Sequence, residues 1–233
     1  ITGTGRAGTT FLIGLLSLLQ LPTGFTPKQV HTSLFETSAH AGLESDPTMV
    51  KKKLTCSNRK QIHKSPRLLD NTKWLEADNI ALVIVPLRNS EDAAASRAYQ
   101  SRHHNPQQGG YIRNAHDVAE QLIANDHAVA SFFWKVSSLA EVPLITLSYP
   151  EHVLNGEYAY AKLQPLLTTY NVTKKTFLTT HAMLSNLNLM HTYSYSSVNQ
   201  SQVGHPMVAT QKKTEAPGGP PRPSRPTPTH APP

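Results

Sequence analysis

Gly3-Thr4-Gly5-Arg6-Ala7-Gly8-Thr9-Thr10 runs directly into the apolar segment Phe11 to Leu21, and this junction decides the reading of the chain. Glycine, four residues, glycine and then Thr9-Thr10 is the spacing of a phosphate-wrapping loop, with Thr9 standing where that motif has its lysine. A glycine-rich turn that opens a helix presents backbone N–H groups and a positive dipole end, so it holds an anion with little help from side chains. Without the lysine, an ATP- or GTP-cleaving site loses the cation that reaches the terminal phosphates. Arg6, inside the loop, is its replacement. Gly8 is expected to allow close backbone approach, and Thr9 and Thr10 to donate hydroxyl bonds to phosphate oxygens. Gly5 and Ala7 complete the expected anion-contacting set.

Two downstream segments extend this site. Ala81-Leu82-Val83-Ile84-Val85-Pro86-Leu87-Arg88 reads as a buried strand ending in an arginine, and Ser96 follows eight residues later. A guanidinium at a strand end offers the fork geometry that phosphate recognition needs, and Ser96 adds a donor. His63-Lys64-Ser65-Pro66 closes an earlier extended stretch. In all three places the bland reading is a surface residue at the end of an element; order and spacing together favour the site.

With these residues in view, Arg6-Ala7-Gly8-Thr9-Thr10-Phe11-Leu12 resembles the 5′-phosphosulfate loop of the sulfotransferases, the enzymes that use 3′-phosphoadenosine 5′-phosphosulfate (PAPS). Ala7 stands where their usual form has serine. The resemblance spans roughly residues 1 to 190. It implies a three-layer α/β P-loop fold with a central, mostly parallel sheet flanked by helices. It implies transfer of a sulfonate from PAPS to a hydroxyl or amine of a small-molecule or carbohydrate acceptor. Gly5, Arg6, Ala7, Gly8, Thr9 and Thr10 would hold the 5′-phosphosulfate, and Arg88 and Ser96 the 3′-phosphate. Lys64 would neutralise charge developing on the leaving phosphate, and no metal is required. A base must take the acceptor proton. His63 is one candidate, although strand alternation turns adjacent residues to opposite faces; Glu44 and Asp46 are alternatives.

Two rival functions remain at this stage. A small-molecule kinase needs a carboxylate after an apolar strand to hold magnesium, and Arg88 stands where that aspartate belongs. A catalytically impaired relative would keep nucleotide binding without turnover.

Composition bounds the rest. The chain has 233 residues, a net charge of +7 and 38% hydrophobic residues, enough for one sizeable core. Residues 211–233 carry Lys212, Lys213, Arg222 and Arg225 against Glu215, so +3 of the +7 sits there and +4 remains for the body. That balance suits a polyanionic co-substrate and excludes a nucleic-acid signature, since aromatic residues are only 7% of the chain. Cys56 is the single cysteine, so no intrachain disulfide forms; with no visible signal segment, a cytoplasmic location is expected. Phe11 to Leu21 is too short to span a bilayer. Twelve histidines show no ligand-type spacing, so no metal site is expected; His40, His103 and His104 read as loop surface. Ile1-Thr2 is a short remnant for the strand that should precede the loop, so this strand is expected to be truncated.

Strands are expected at 1–2, 61–64, 81–86 and 144–148. Helices are expected at 8–21, 67–77, 91–101, 114–139, 156–170 and 174–189. Ser90 is read as the cap of the third helix, with Glu91 and Asp92 in its first turn. Arg97 and Arg102 are read as a solvated face. Residues 22–60 and 102–113 are read as irregular loops that meet the acceptor. The domain is assigned to 1–195 and a C-terminal extension to 196–233. Eight of the eighteen prolines fall in the last seventeen residues, so disorder is expected from about 216.

Overall fold

The computed structural model describes residues 1–3, 5–36, 42–44, 61–65, 69, 80–103, 117–139 and 142–187. All of them belong to one compact unit, Ile1–Ser194. The expected helix 67–77 apart from Leu69, loop 102–113 beyond residue 103, and Asp46, Cys56, His40 and His104 lie outside these residues; residues 102 and 103, expected in that loop, instead end the helix Ser90–His103. So do the expected extension and its proline-rich end.

Thr9–Leu18 forms α1. Its residues are apolar on every side and buried from Thr9 to Ser17, as a helix enclosed by other elements requires. The helix stops four residues after Gly14, where Gln20 adopts a left-handed conformation and Leu21 N donates back to Leu16 O at 3.0 Å. α2 is Pro27–His31, followed by a π turn at Thr32–Glu36. Its start is a capping box: Thr26 Oγ1 accepts from Gln29 N at 3.3 Å, and Gln29 Oε1 accepts from Thr26 N at 2.8 Å. The expectation of an irregular 22–60 is therefore corrected over Pro27–Glu36.

β1 is Val83–Leu87 and β2 is Leu144–Ser148. They pair in parallel, Val83 opposite Leu144 and Leu87 opposite Ser148. Parallel strands need a crossover, here carried by α3 (Ser90–His103) and α4 (Val118–Ser138). The mixed helix-and-strand architecture read from the sequence is present, with two paired strands among the described residues. The strands expected at 1–2 and 61–64 do not form ladders. Thr2 N donates to Ile84 O and Ser65 N to Ile1 O, each at 3.0 Å, so these segments lie beside β1 in the order 61–65, 1–3, β1, β2.

The two faces of the strand pair go to different helices. Ile84 and Leu147 join α1 and the later helices in one core; Val83 and Val85 meet Phe132 and Val136 of α4 in another. After β2 come α5 (Glu151–Leu154), α6 (Gly156–Thr169) and α7 over residues 174–187. Leu163, Leu167, Phe177 and Leu184 from α6 and α7 close the first core.

The caps correct one expectation. Asn89, not Ser90, caps α3: its Oδ1 accepts from Asp92 N at 3.0 Å. Asn155 caps α6, its Oδ1 accepting from Tyr158 N at 3.0 Å. Asn155→Ala is expected to cost about 1 kcal/mol, the usual worth of such a cap. Chemical denaturation checks this: the midpoint should fall with the slope unchanged.

Candidate functional site

The loop before α1 is held in an uncommon backbone shape. Gly5, Arg6 and Gly8 have φ of 64°, 57° and 78°. A non-glycine residue in that left-handed region carries a conformational cost, so Arg6 stays there because its surroundings hold it. Gly8 is the helix cap and offers no side chain, which leaves the first amides of α1 without a side-chain partner at their end. Gly8 also has no room for one. A Cβ there would lie 2.6 Å from His152 Nε2 and 3.1 Å from Tyr149 Cδ2. The glycine spacing is thus a packing requirement of this loop as well as a conformational one.

Lys64 enters from one flank. It is 1% exposed, and its Nζ donates to Thr10 Oγ1 at 3.0 Å and to the Gly42 carbonyl. Glu44 Oε1 lies 3.9 Å away on a side chain 44% exposed. Burial pushes the Lys64 ammonium down to about 8, partly offset by the Glu44 charge. Thr10 Oγ accepts from Lys64 and so keeps its own hydrogen for another partner. His63 is partly exposed, and its carbonyl accepts from Ile1 N at 2.5 Å.

Arg88 and Ser96 enter from the other flank, beyond β1. Arg6 Nε donates to Ser96 Oγ at 3.0 Å, and Arg88 Nη1 donates to Arg6 O at 3.1 Å. The Arg88 guanidinium also lies over the Tyr149 ring, 4.9 Å from its centroid. Residues expected at the site from three separate stretches therefore meet one loop: Lys64 touches Thr10, while Arg88 and Ser96 touch Arg6.

Arg97 corrects the solvated-face reading. It is 1% exposed; its Nη2 donates to Asn125 Oδ1 at 2.8 Å, and Gly5 O lies 3.5 Å away. The cause is the Ala93-Ala94 pair, fully buried, which lets α4 lie close over α3 and seals Arg97 against buried Asn125. The long aliphatic stem suits this position, and the charge is met by an amide oxygen.

Sequence reasoning missed His152 and His181. His152 is 1% exposed, its Nδ1 lies 2.9 Å from Ser148 O, and its Nε2 faces Gly8 without closing a hydrogen bond. A carbonyl accepts only, so Nδ1 carries the proton and Nε2 the lone pair in the neutral ring. Burial holds its pKa below the usual histidine value, against the backbone carbonyls of Ser148 and Gly8. His181 Nε2 bonds His152 O at 3.0 Å and is likewise lowered by burial. The available signal was position: His152 follows just past the end of β2, the edge of a parallel sheet where ligand sites gather.

Among the described residues, no helix is long and apolar enough to cross a membrane, and no three metal-ligating side chains gather. Comparison with protein-family models, with curated proteins and with solved structures gives no match to this chain.

Proposed function

We propose that the chain is a sulfotransferase-like P-loop enzyme of three-layer α/β fold that moves a sulfonate from PAPS to a hydroxyl or amine acceptor. One observation carries this reading. Lys64 and the Arg88–Ser96 pair flank the same glycine loop at the N-terminus of α1, through Thr10 and Arg6. The Gly8 cradle, too tight for any side chain, and the uncapped first turn of α1 fit an anion held by backbone N–H groups.

In this reading the loop amides and the Thr9 and Thr10 hydroxyls hold the 5′-phosphosulfate. Arg88 and Ser96 hold the 3′-phosphate. The acceptor oxygen or nitrogen attacks sulfur in line with the bridging oxygen; the new bond to sulfur forms as the S–O bond to the 5′-phosphate breaks. Lys64 stabilises the negative charge arriving on that phosphate, which leaves on 3′-phosphoadenosine 5′-phosphate (PAP). Such a transfer depends on positioning and charge stabilisation. The acceptor proton passes to a base, His63 or Glu44; both are accessible to solvent, and Glu44 Oε1 lies 3.9 Å from Lys64 Nζ.

Thermal shift with PAP, beside ADP with magnesium, tests the reading. A ligand that binds only the folded state at a hundredfold excess over Kd adds about 2.7 kcal/mol, several degrees in Tm. The expected result is a shift with PAP that Arg88→Ala largely removes. A shift with ADP–magnesium alone would put a kinase in first place. A PAP shift with no sulfonated product across an acceptor screen would mark a binding-only relative.

A further inference from the structure

We propose that a second proton on His152 tightens the loop before α1 on its anion, so that this buried histidine couples the chain's affinity for a phosphosulfate to pH. The inference rests on the nucleotide reading above and adds to it a residue which that reading does not use.

The ring of His152 is fixed on several sides. It lies in α5, just past β2, and is 1% exposed. Its Nδ1 is 2.9 Å from Ser148 O, and the Phe11 and Tyr149 rings stand edge-on at 6.2 and 6.0 Å. The remaining nitrogen, Nε2, is buried and has no hydrogen-bond partner among the described residues. It points at Gly8, where a Cβ would stand 2.6 Å from it. In the neutral ring Nε2 presents a lone pair, and the acceptor on that side, the Gly8 carbonyl, cannot answer a lone pair. A second proton turns Nε2 into a donor. Gly8 O already accepts from Leu12 N at 3.0 Å, and a carbonyl oxygen has room for a second bond. The imidazolium then ties Ser148 at the end of β2 to Gly8 at the start of α1.

Charge decides when this proton is held. An imidazolium beside the positive end of α1 is disfavoured. Burial disfavours it as well, and so does the charge of His181 on α7. From the strand ends the Tyr149 hydroxyl and the Arg88 guanidinium over that ring face it; α1 presents Phe11, with Lys64 beyond at Thr10. These neighbours add positive charge. An anion in the loop supplies the negative charge they lack, so it raises the affinity of His152 for a proton. By reciprocity the proton raises affinity for the anion by the same factor. Because burial holds the ring below the ordinary histidine value of about 6.5, His152 is neutral at pH 7, and the tightening sets in as pH falls from there.

Calorimetric titration of PAPS into the unaltered chain and His152→Gln, at about pH 7 and about pH 5.5 on either side of the ordinary histidine value, tests this. Glutamine offers Gly8 a neutral donor with no proton to gain. Lys64, at about 8, stays protonated throughout. The 3′-phosphate titrates alike against both chains, so the difference between them is the readout. On acidification the unaltered chain should gain about five- to tenfold more affinity than His152→Gln, the low end of the range for linked sites. It should also take up more protons per PAPS bound, read from the heats in two buffers of different ionisation enthalpy. An equal gain in both chains would overturn the inference and leave the nucleotide reading in place. So would a gain kept in His152→Gln and lost in His181→Gln. No PAPS binding by the unaltered chain at either pH would remove the nucleotide reading, and the inference with it. If His152→Gln fails to fold, nuclear magnetic resonance of the unaltered chain decides. The His152 ring should carry its proton on Nδ1 at pH 7, and PAPS should raise the pH at which it gains the second; a titration unmoved by PAPS would overturn the inference.

Discussion

Gly8→Ala is expected to lower the unfolding free energy by about 2–5 kcal/mol and to remove anion binding at the loop. Two costs add. A side chain in the left-handed region costs about 1–2 kcal/mol, and Gly8 has φ 78°. Forcing a methyl into a packed site costs about 1–3 kcal/mol more, and here it would meet His152 Nε2 at 2.6 Å and Cε1 at 2.9 Å. His152 has little freedom to move aside. Its Nδ1 is engaged with Ser148 O, its carbonyl with His181, and its ring stands edge-on to Phe11 and Tyr149 at 6.2 and 6.0 Å. Relief must then come from the loop, and moving the loop displaces the amides proposed to hold an anion. Denaturant unfolding of Gly8→Ala, His152→Ala and the double variant separates the two terms. The double variant should be more stable than the sum of the singles predicts, because deleting the ring removes the clash but leaves the backbone cost. Simple additivity would show that His152 does not confine the loop.

The same pair of residues shows what a sequence can and cannot carry. Glycine spacing, an apolar run and a strand ending in Arg88 are local patterns, so the loop, α1, β1 and β2 were legible; β2 was placed residue for residue. The start of α6 at Gly156 was legible because the signals that begin a helix lie within its first turn. The box Thr26-Pro27-Lys28-Gln29 was equally local and was passed over because 22–60 lacked periodicity, which a five-residue helix is too short to display. Arg97 and His152 are another kind of miss. Nothing local distinguishes a buried arginine from a solvated one; the decision is made by Asn125, twenty-eight residues later on a different helix. His152 sits at the loop because β2 pairs beside β1, a tertiary fact. The segments at 1–3 and 61–65 fell short of strands for a related reason. Residues 1–3 make one bond to β1, through Thr2 N and Ile84 O, and two to 61–65, through Ile1 with His63 O and Ser65 N, and ladder formation is a property of pairs, not of apolar runs.

Lys64→Met is expected to reduce sulfonate transfer by about a hundred- to thousandfold in kcat, the usual cost of removing one preorganised group aimed at developing charge. PAP affinity should fall by less, because the loop amides and the Arg88 cluster remain. Methionine keeps the length of the stem and fills the site, and Glu44, 44% exposed, is left solvated and not stranded as a buried charge. The variant should therefore fold. A pH signature distinguishes a buried cation from a merely packed one. The ammonium is pushed down to about 8 in the folded chain, against about 10.4 when unfolded. Between those values the unfolded chain binds more protons than the folded one, so stability contributed by this group rises with pH across that window. Below pH 8 both states are protonated and the cost of burying the charge is present in full. Lys64→Met should then lack this rise, so that the difference in Tm between the two chains changes from pH 8 to pH 10.5 in favour of the unaltered one. A constant difference across the window would mean that Lys64 is not held as a buried ammonium beside Thr10, and its place as the charge-stabilising group would fall. Binding of an anion should act in the opposite direction, restoring the ammonium's affinity for its proton; added PAP should move the window upward in the unaltered chain and leave Lys64→Met unmoved.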